Sequence, residues 1–248
     1  MPKITTDYII RQYQSGIDNY SLYTKEVGLW ASEKYVFQKY LEKEFSILDI
    51  GCGTGRTTFP LFKLGFQDII GVDLTPEMIG AAKKLNHHFQ TRIRFETGNA
   101  IQLAFDDHTF HATIFSFNGL MSIPGHLQRV KAIKEIYRVL KSDGRFIFTT
   151  HDRDKEPSFF EFWKKEKEKW LAGNQNPDLY EFGDLISSSK NESREIFIHI
   201  PNQQEIVKLL NENGFNVLET FYRSDRFDES PEVKKQSGEC RFWITSKK

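Results

Sequence analysis

The period of the hydrophobic and polar positions changes several times along the chain, and each change marks an element boundary. Residues 1 to about 45 carry Tyr8, Tyr13, Tyr20, Tyr23, Trp30, Tyr35, Phe37 and Tyr40 in a polar background, which predicts a helical lead-in rich in aromatics. From Ser46 to about His151 short apolar runs alternate with helical stripes, the pattern of a parallel sheet wrapped on both faces. One stripe runs from His126 to Lys141 and places Leu127, Val130, Ile133, Tyr137 and Leu140 on one face; Ser142-Asp143-Gly144 is expected to stop it before a strand over 145–151. After His151 the alternation lapses. A charged helix is expected over 159–171, with Phe159, Trp163 and Trp170 near helical spacing, then the turn-rich Gly173-Asn174-Gln175-Asn176-Pro177, then a strand from Arg194 to Ile200. The alternation resumes at Asn202-Gln203-Gln204-Glu205, which has capping-box chemistry, through a helix closed by Asn213-Gly214 and strands over 215–222 and 239–246.

Within this frame one segment concentrates chemistry: Ile47-Leu48-Asp49-Ile50-Gly51-Cys52-Gly53-Thr54-Gly55-Arg56. It reads as an apolar strand, an acid, a glycine turn and the opening of a helix. Glycines remove β-carbons where backbone approaches a ligand or takes a positive φ, and the following helix points its free amides into the same space. About twenty residues on, the strand Asp68-Ile69-Ile70-Gly71-Val72-Asp73 ends in a second carboxylate, where an α/β nucleotide site uses an acid to grip ribose hydroxyls. Thr75 and Pro76 then suit the N-cap and first position of a helix. The spacing is G-x-G-x-G, with Arg56 where a dinucleotide fingerprint would place its third glycine.

The run from Asp49 to Gly55 resembles the first motif of the class I S-adenosylmethionine (SAM) dependent methyltransferases, and Gly71 to Ile79 resembles their second. Arg92 to Ala100 looks like the third strand and its turn, with Asn99 where many relatives carry aspartate. The resemblance covers about 46–151 and 201–248. It implies an α/β, Rossmann-like fold: a seven-stranded, mostly parallel sheet with an antiparallel last strand and helices on both faces. It also implies SAM as cofactor, with S-adenosylhomocysteine as product. By the same resemblance Asp49 helps hold the ammonium end, and Gly51, Gly53 and Gly55 form the turn under the methionine part. Asp73 takes the ribose, Leu74 and Met78 flank the adenine, Asn99 and Ala100 meet its edge, and Ser116 offers a backbone oxygen to the ammonium. The organisation expected is a helical N-terminal lid (1–45), a SAM-binding core (46–152 and 201–248) and an inserted cap (153–200).

Composition narrows the partners. The chain of 248 residues suffices for one α/β domain with an inserted segment. Lys+Arg and Asp+Glu both total 34, and this balance disfavours a nucleic-acid substrate, which calls for a basic surplus. Cys52 and Cys240 give neither a disulfide framework nor metal spacing, so no metal is expected. With no signal-like N-terminal run and no membrane-length apolar stretch, a cytoplasmic protein without membrane contact is expected.

Methyl transfer is an in-line displacement, so the chain's task is mainly alignment and exclusion of water; a hydroxyl or carbon acceptor adds the need for a base. The acceptor is expected at the carboxyl ends of the fourth and fifth strands. Ser116-Phe117-Asn118-Gly119 does not read [DN]-P-P-[YFW], the form that resembles methylases of nucleic-acid amino groups, and so points to a small molecule. Asn118 and His151 are the catalytic candidates, and Tyr8, Tyr20, Asn118, His151 and Arg153 the substrate contacts. The alternatives are an RNA or protein methyltransferase, and a non-catalytic SAM-binding or nicotinamide-binding protein.

Overall fold

The computed structural model describes residues 4–188 and 195–248. Three helices come first: α1 (Thr6–Gln14), α2 (Ile17–Glu26) and α3 (Ala31–Tyr40). Then β1 (Ile47–Ile50), α4 (Thr58–Lys63), β2 (Ile69–Asp73), α5 (Pro76–Phe89), β3 (Arg94–Thr97), β4 (Phe110–Phe115), α6 (His126–Val139) and β5 (Leu140–Thr150) follow in alternation. The intervening part holds α7 (Phe160–Leu171) and the strands β6 (Asp184–Ser188) and β7 (Glu195–His199). The chain then closes with α8 (Gln203–Glu212), β8 (Phe215–Tyr222), α9 (Pro231–Gln236) and β9 (Arg241–Lys247).

The main sheet has seven strands in the order β3-β2-β1-β4-β5-β9-β8; the first five are parallel, and β9 runs antiparallel to both β5 and β8. Because the chain moves outward from β1 to β3 and then returns to β4, the loops after β1 and β4 diverge and leave a crevice at their carboxyl ends. Side-chain alternation assigns the two faces. Ile47, Ile147, Phe242 and Ile244 pack under α3, α4 and α5, while Leu48, Ile50, Phe146, Phe148 and Trp243 pack against α6 and α8.

Several expected boundaries move. Ser142-Asp143-Gly144 does not separate helix from strand: β5 begins at Leu140 directly after α6, and Asp143 sits at φ +59 where the pairing with β4 shifts register. On α6 the buried face is Arg129, Ala132, Ile133, Ile136 and Val139, and Leu127 is exposed, so the core stripe is rotated from the expected one. Thr75 is the N-cap of α5 and Pro76 its first residue, yet the Thr75 hydroxyl makes no capping bond; the Asp73 carboxylate accepts from the Thr75 amide instead. The capping box at Asn202 and Glu205 forms as read. The strand over 194–200 is β7 from Glu195 onward, while Arg194 lies outside the described residues. Its partner β6 and the helix α9 have no counterpart in the sequence reading.

Lead-in and intervening segment meet each other as well as the core. The Gln12 side-chain Oε1 accepts from the Phe197 amide at 2.8 Å, and the Tyr180 hydroxyl donates to the Ile4 backbone carbonyl at 2.7 Å. Ile4, Ile9 and Phe197 form a small apolar cluster against which Tyr8, Tyr13, Leu74 and Ile186 pack. Hydroxyls of Thr24 on α2 and Thr54 in the glycine turn hydrogen-bond at 2.6 Å, so the lead-in is fastened to the turn.

Candidate active site

A cavity of about 400 Å³ opens at the carboxyl ends of β1, β2 and β4. Its floor is the turn 50–54, entered at Gly51 with φ +64 and continued at Gly53 with φ +56. A β-carbon at Gly51 would stand 2.6 Å from the Phe115 ring, whereas one at Gly53 would meet nothing within 4 Å and so project into open space. Gly55 is not on the wall. At φ +93 it sits where a β-carbon would come within 2.6 Å of Phe59, which makes it the close contact between helix and sheet.

Asp73 lies on the wall, half-buried, with both carboxylate oxygens oriented by backbone: Oδ1 accepts from the Thr75 amide and Oδ2 from the Gly53 amide, each at 2.8 Å. One bond per oxygen leaves each with a further lone-pair direction. Burial pushes the Asp73 pKa above the usual carboxylate value, and the bonds from Thr75 and Gly53 pull it partly back. Leu74, Met78, Asn99, Ala100 and Ser116 line the same cavity. The Asn99 carbonyl oxygen accepts from the Ile101 amide at 3.2 Å and shapes its own turn.

Asp49 is placed elsewhere. It is 1% exposed, absent from the cavity wall, and accepts from the Thr58 hydroxyl at 2.7 Å, tying β1 to the start of α4. Burial raises its pKa to about 7, against the lowering effect of Thr58 and Arg56.

The acceptor-side expectations need more correction. Asn118 and His151 are on neither side of the first cavity's lining; they bond to each other, Nδ2 to Nε2 at 3.0 Å. His151 Nδ1 lies 2.7 Å from the Glu239 carbonyl oxygen, which can only accept, so Nδ1 carries the proton and Nε2 accepts from Asn118. Both ring nitrogens are thus engaged, and burial lowers the pKa of His151. Arg153 is equally remote: its guanidinium clasps Glu205 at 2.7 and 2.9 Å and donates to the Ile200 carbonyl. Tyr8 packs on the Ile4–Ile9–Phe197 cluster and is on the wall of neither this cavity nor the second one described below. Of the substrate contacts expected, Tyr20 alone is on the first cavity's wall.

In their place the cavity presents Tyr13, one of the lead-in tyrosines, together with residues that sequence reasoning did not select. Tyr13 and Ser122 share a 2.6 Å hydroxyl–hydroxyl bond on its wall, beside Tyr23, Ile123 and Gln128. The Gln128 carbonyl oxygen is buried without a partner. Tyr13 has a signal in the aromatic lead-in. Ser122 and Gln128 have none, since they arrive through the loop after β4 and a polar position of α6. Arg56 also reaches the wall, but it is neutralised by Glu33 through two 2.7 Å contacts and donates to the Gly28 carbonyl. Among the described residues Glu181, Asp184 and His199 bring potential metal-ligand atoms within 4.8 Å, yet these are engaged by Arg129, by backbone amides and by one another.

Comparison with known proteins agrees with this architecture. The methyltransferase domain family matches residues 47–144. The uncharacterized methyltransferase YcgJ of Bacillus subtilis is 36% identical over 121 residues, covering 48% of this chain and 46% of its own. The demethylmenaquinone methyltransferase of Lactococcus lactis is 31% identical over 180 residues, covering 70% of this chain and 67% of its own. The chain therefore spans about half the length of the first relative and two thirds of the second. A solved SAM-dependent methyltransferase from Methanosarcina mazei superposes with a TM-score of 0.68 at 21% identity, covering 89% of this chain and 99% of that one. The chain belongs to the class I SAM-dependent methyltransferase superfamily. Among the described residues no helix is long and apolar enough to cross a membrane.

Proposed function

We propose that the first cavity binds SAM and an uncharged small-molecule acceptor side by side, and that the chain transfers the methyl group between them. The observation that carries this is the cavity's division of labour. One end offers an oriented carboxylate and a turn without β-carbons, and the other offers hydroxyls, a carboxamide and apolar side chains. The fit to the cofactor is specific. The free lone pairs of Asp73 match two vicinal hydroxyls, the space above Gly53 takes an aliphatic chain, and Leu74 and Met78 offer apolar surface to a base. Bound there, SAM supplies an electrophilic methyl on a sulfonium.

The chain's own residues then position and shield. Asp73 fixes the nucleoside end, the Ser116–Phe117 backbone lies beside the methionine end, and Tyr13, Tyr20 and Tyr23 from the lead-in cover the cavity against water. In this reading residues 1–45 act as a lid and 153–200 as a cap on the core of 46–152 and 201–248. His151 does not serve as base, because its one unprotonated nitrogen is taken by Asn118. The acceptor therefore attacks through a lone pair that it already carries, as a neutral amine does, and its surplus proton is released to water after transfer, with Gln128 and the Tyr13–Ser122 pair accepting or donating to orient it.

The test uses SAM labelled on the methyl group, incubated with fractionated cell extract. Label in the low-molecular-weight fraction, together with calorimetric binding of S-adenosylhomocysteine, is expected. Label only in RNA or protein overturns the acceptor class, and no binding of S-adenosylhomocysteine overturns the site.

A further inference from the structure

A second cavity, of about 550 Å³, lies on the far side of the Asn118–His151 pair. Phe159, Phe162, Trp163, Leu185, Ile186 and Tyr222 supply its apolar wall. The two cavities share a partition. Phe117 and Gly119, the neighbours of Asn118, line the first, while His151, which Asn118 holds, lines the second. Ile186, on the wall of the second, packs on the cluster of Ile4 and Ile9 that lines the first.

Four of its charged groups, Asp152, Arg153, Lys155 and Glu239, are matched within the chain, and the half-buried Glu156 adds a further negative charge to the same wall. Asp152 accepts from the Tyr222 hydroxyl at 2.9 Å and faces Arg241 at 3.5 Å. Arg153 is clasped by Glu205, Lys155 reaches Asp225 at 3.2 Å, and Glu239 accepts from the Cys240 amide at 2.9 Å. An anion would have to break one of these pairs and face Glu156 as well, whereas an apolar ring only displaces water. The partition itself is costly. Phe117 and Asn118 both hold positive φ, at +55 and +61, and the 5%-exposed Asn118 has a carbonyl oxygen without a partner. Such strain and an unmet acceptor are retained where a site needs a particular shape.

We propose that the second cavity is a binding site for an uncharged, ring-bearing small molecule, held among Phe162, Trp163 and Leu185 and separated from the first cavity by the Asn118–His151 bond. This goes beyond the reading of the first cavity and does not depend on it. The molecule is either the ring-bearing end of an acceptor that spans the partition or a separate ligand; the chemistry is the same.

The probe is 2-naphthol, titrated calorimetrically into the full chain. Saturable one-site binding is expected, and it persists in Asp73→Ala. Leu185→Trp fills the cavity and weakens binding at least about tenfold while S-adenosylhomocysteine affinity stays within about twofold. Ser187→Trp, at an exposed position on the mouth, gives the same loss without burdening the fold. Unsaturable partition into wild type, or binding unchanged by both tryptophans, overturns the site. So does full displacement of 2-naphthol by S-adenosylhomocysteine. Absent S-adenosylhomocysteine binding with intact 2-naphthol binding would sink the reading of the first cavity alone. Labelled transfer blocked by 2-naphthol assigns the cavity to the acceptor, and transfer unaffected by it assigns a separate ligand.

Discussion

Removing the Asp73 side chain tests the cofactor end of the cavity most directly. Each Asp73 oxygen spends one lone pair on a backbone amide, of Thr75 or of Gly53, and keeps one for a ribose hydroxyl. Hydrogen bonds to a charged group contribute about 1.5–3 kcal/mol each, so the two together contribute at least ~3 kcal/mol. At ~1.4 kcal/mol per decade, Asp73→Ala weakens S-adenosylhomocysteine binding about 100-fold, and at the very least tenfold. Asp73→Asn keeps one acceptor oxygen and turns the other into a donor facing an amide N–H, so its loss falls between wild type and alanine. Isothermal calorimetry reads the affinity, and a melting curve in parallel confirms that each variant is folded. The wild-type titration carries a pH signature too. Because burial lifts the Asp73 pKa, protonation competes with ribose binding from a pH above the ordinary 3.8, and affinity falls on acidification. A folded Asp73→Ala whose affinity is within threefold of wild type refutes the ribose assignment.

Three further outcomes follow from the same geometry. Asp49, raised by burial to about 7, binds its proton more tightly folded than unfolded, so wild-type stability falls as pH rises from 3.8 towards 7 and is level above. Asp49→Asn accordingly raises the melting temperature at pH 8 and loses that advantage near pH 4; a gain that is independent of pH removes the linkage. Gly53→Ala costs about 1 kcal/mol of backbone strain and little packing, yet it weakens S-adenosylhomocysteine binding tenfold or more, whereas Gly51→Ala drives a methyl into Phe115 and lowers thermal stability well beyond that. His151→Asn forfeits the bond to Glu239 and lowers stability by about 1–2 kcal/mol, while S-adenosylhomocysteine affinity stays within threefold; a tenfold fall in affinity in a folded variant would overturn the separation of His151 from the first cavity.

The cavity wall built by the turn after β1 and the end of β2 was legible and the wall around Tyr13, Ser122 and Gln128 was not, for a physical reason visible in single residues. Gly51, Gly53 and Asp73 are constrained by backbone: a positive φ, a close approach to Phe115, and a carboxylate two residues ahead of a helix N-cap all restrict residue identity within a short window. Such constraints leave a local pattern that spacing reveals. The strands of the main sheet are legible along the chain because each declares itself by a short apolar run, while β6 in the intervening segment pairs with a single partner and carries Asp184, Ser187 and Ser188, so it resembles a loop.

The opposite wall is instead assembled from two distant stretches, with Tyr13 from α1 and with Ser122 and Gln128 from the turn after β4 and the start of α6, and no local rule ties a tyrosine to a serine 109 residues away. Position along the chain was also a poor guide at the end of β5. The residue after the strand does face a cavity, but the one on the far side, because the Asn118 turn fills the space between. Asn118 fills it at the expense of two successive left-handed non-glycine residues and a buried carbonyl oxygen with no donor, features that only coordinates disclose. Two consecutive left-handed non-glycine residues at the carboxyl end of β4 are a reason to regard the partition as the place where this chain sets what it accepts.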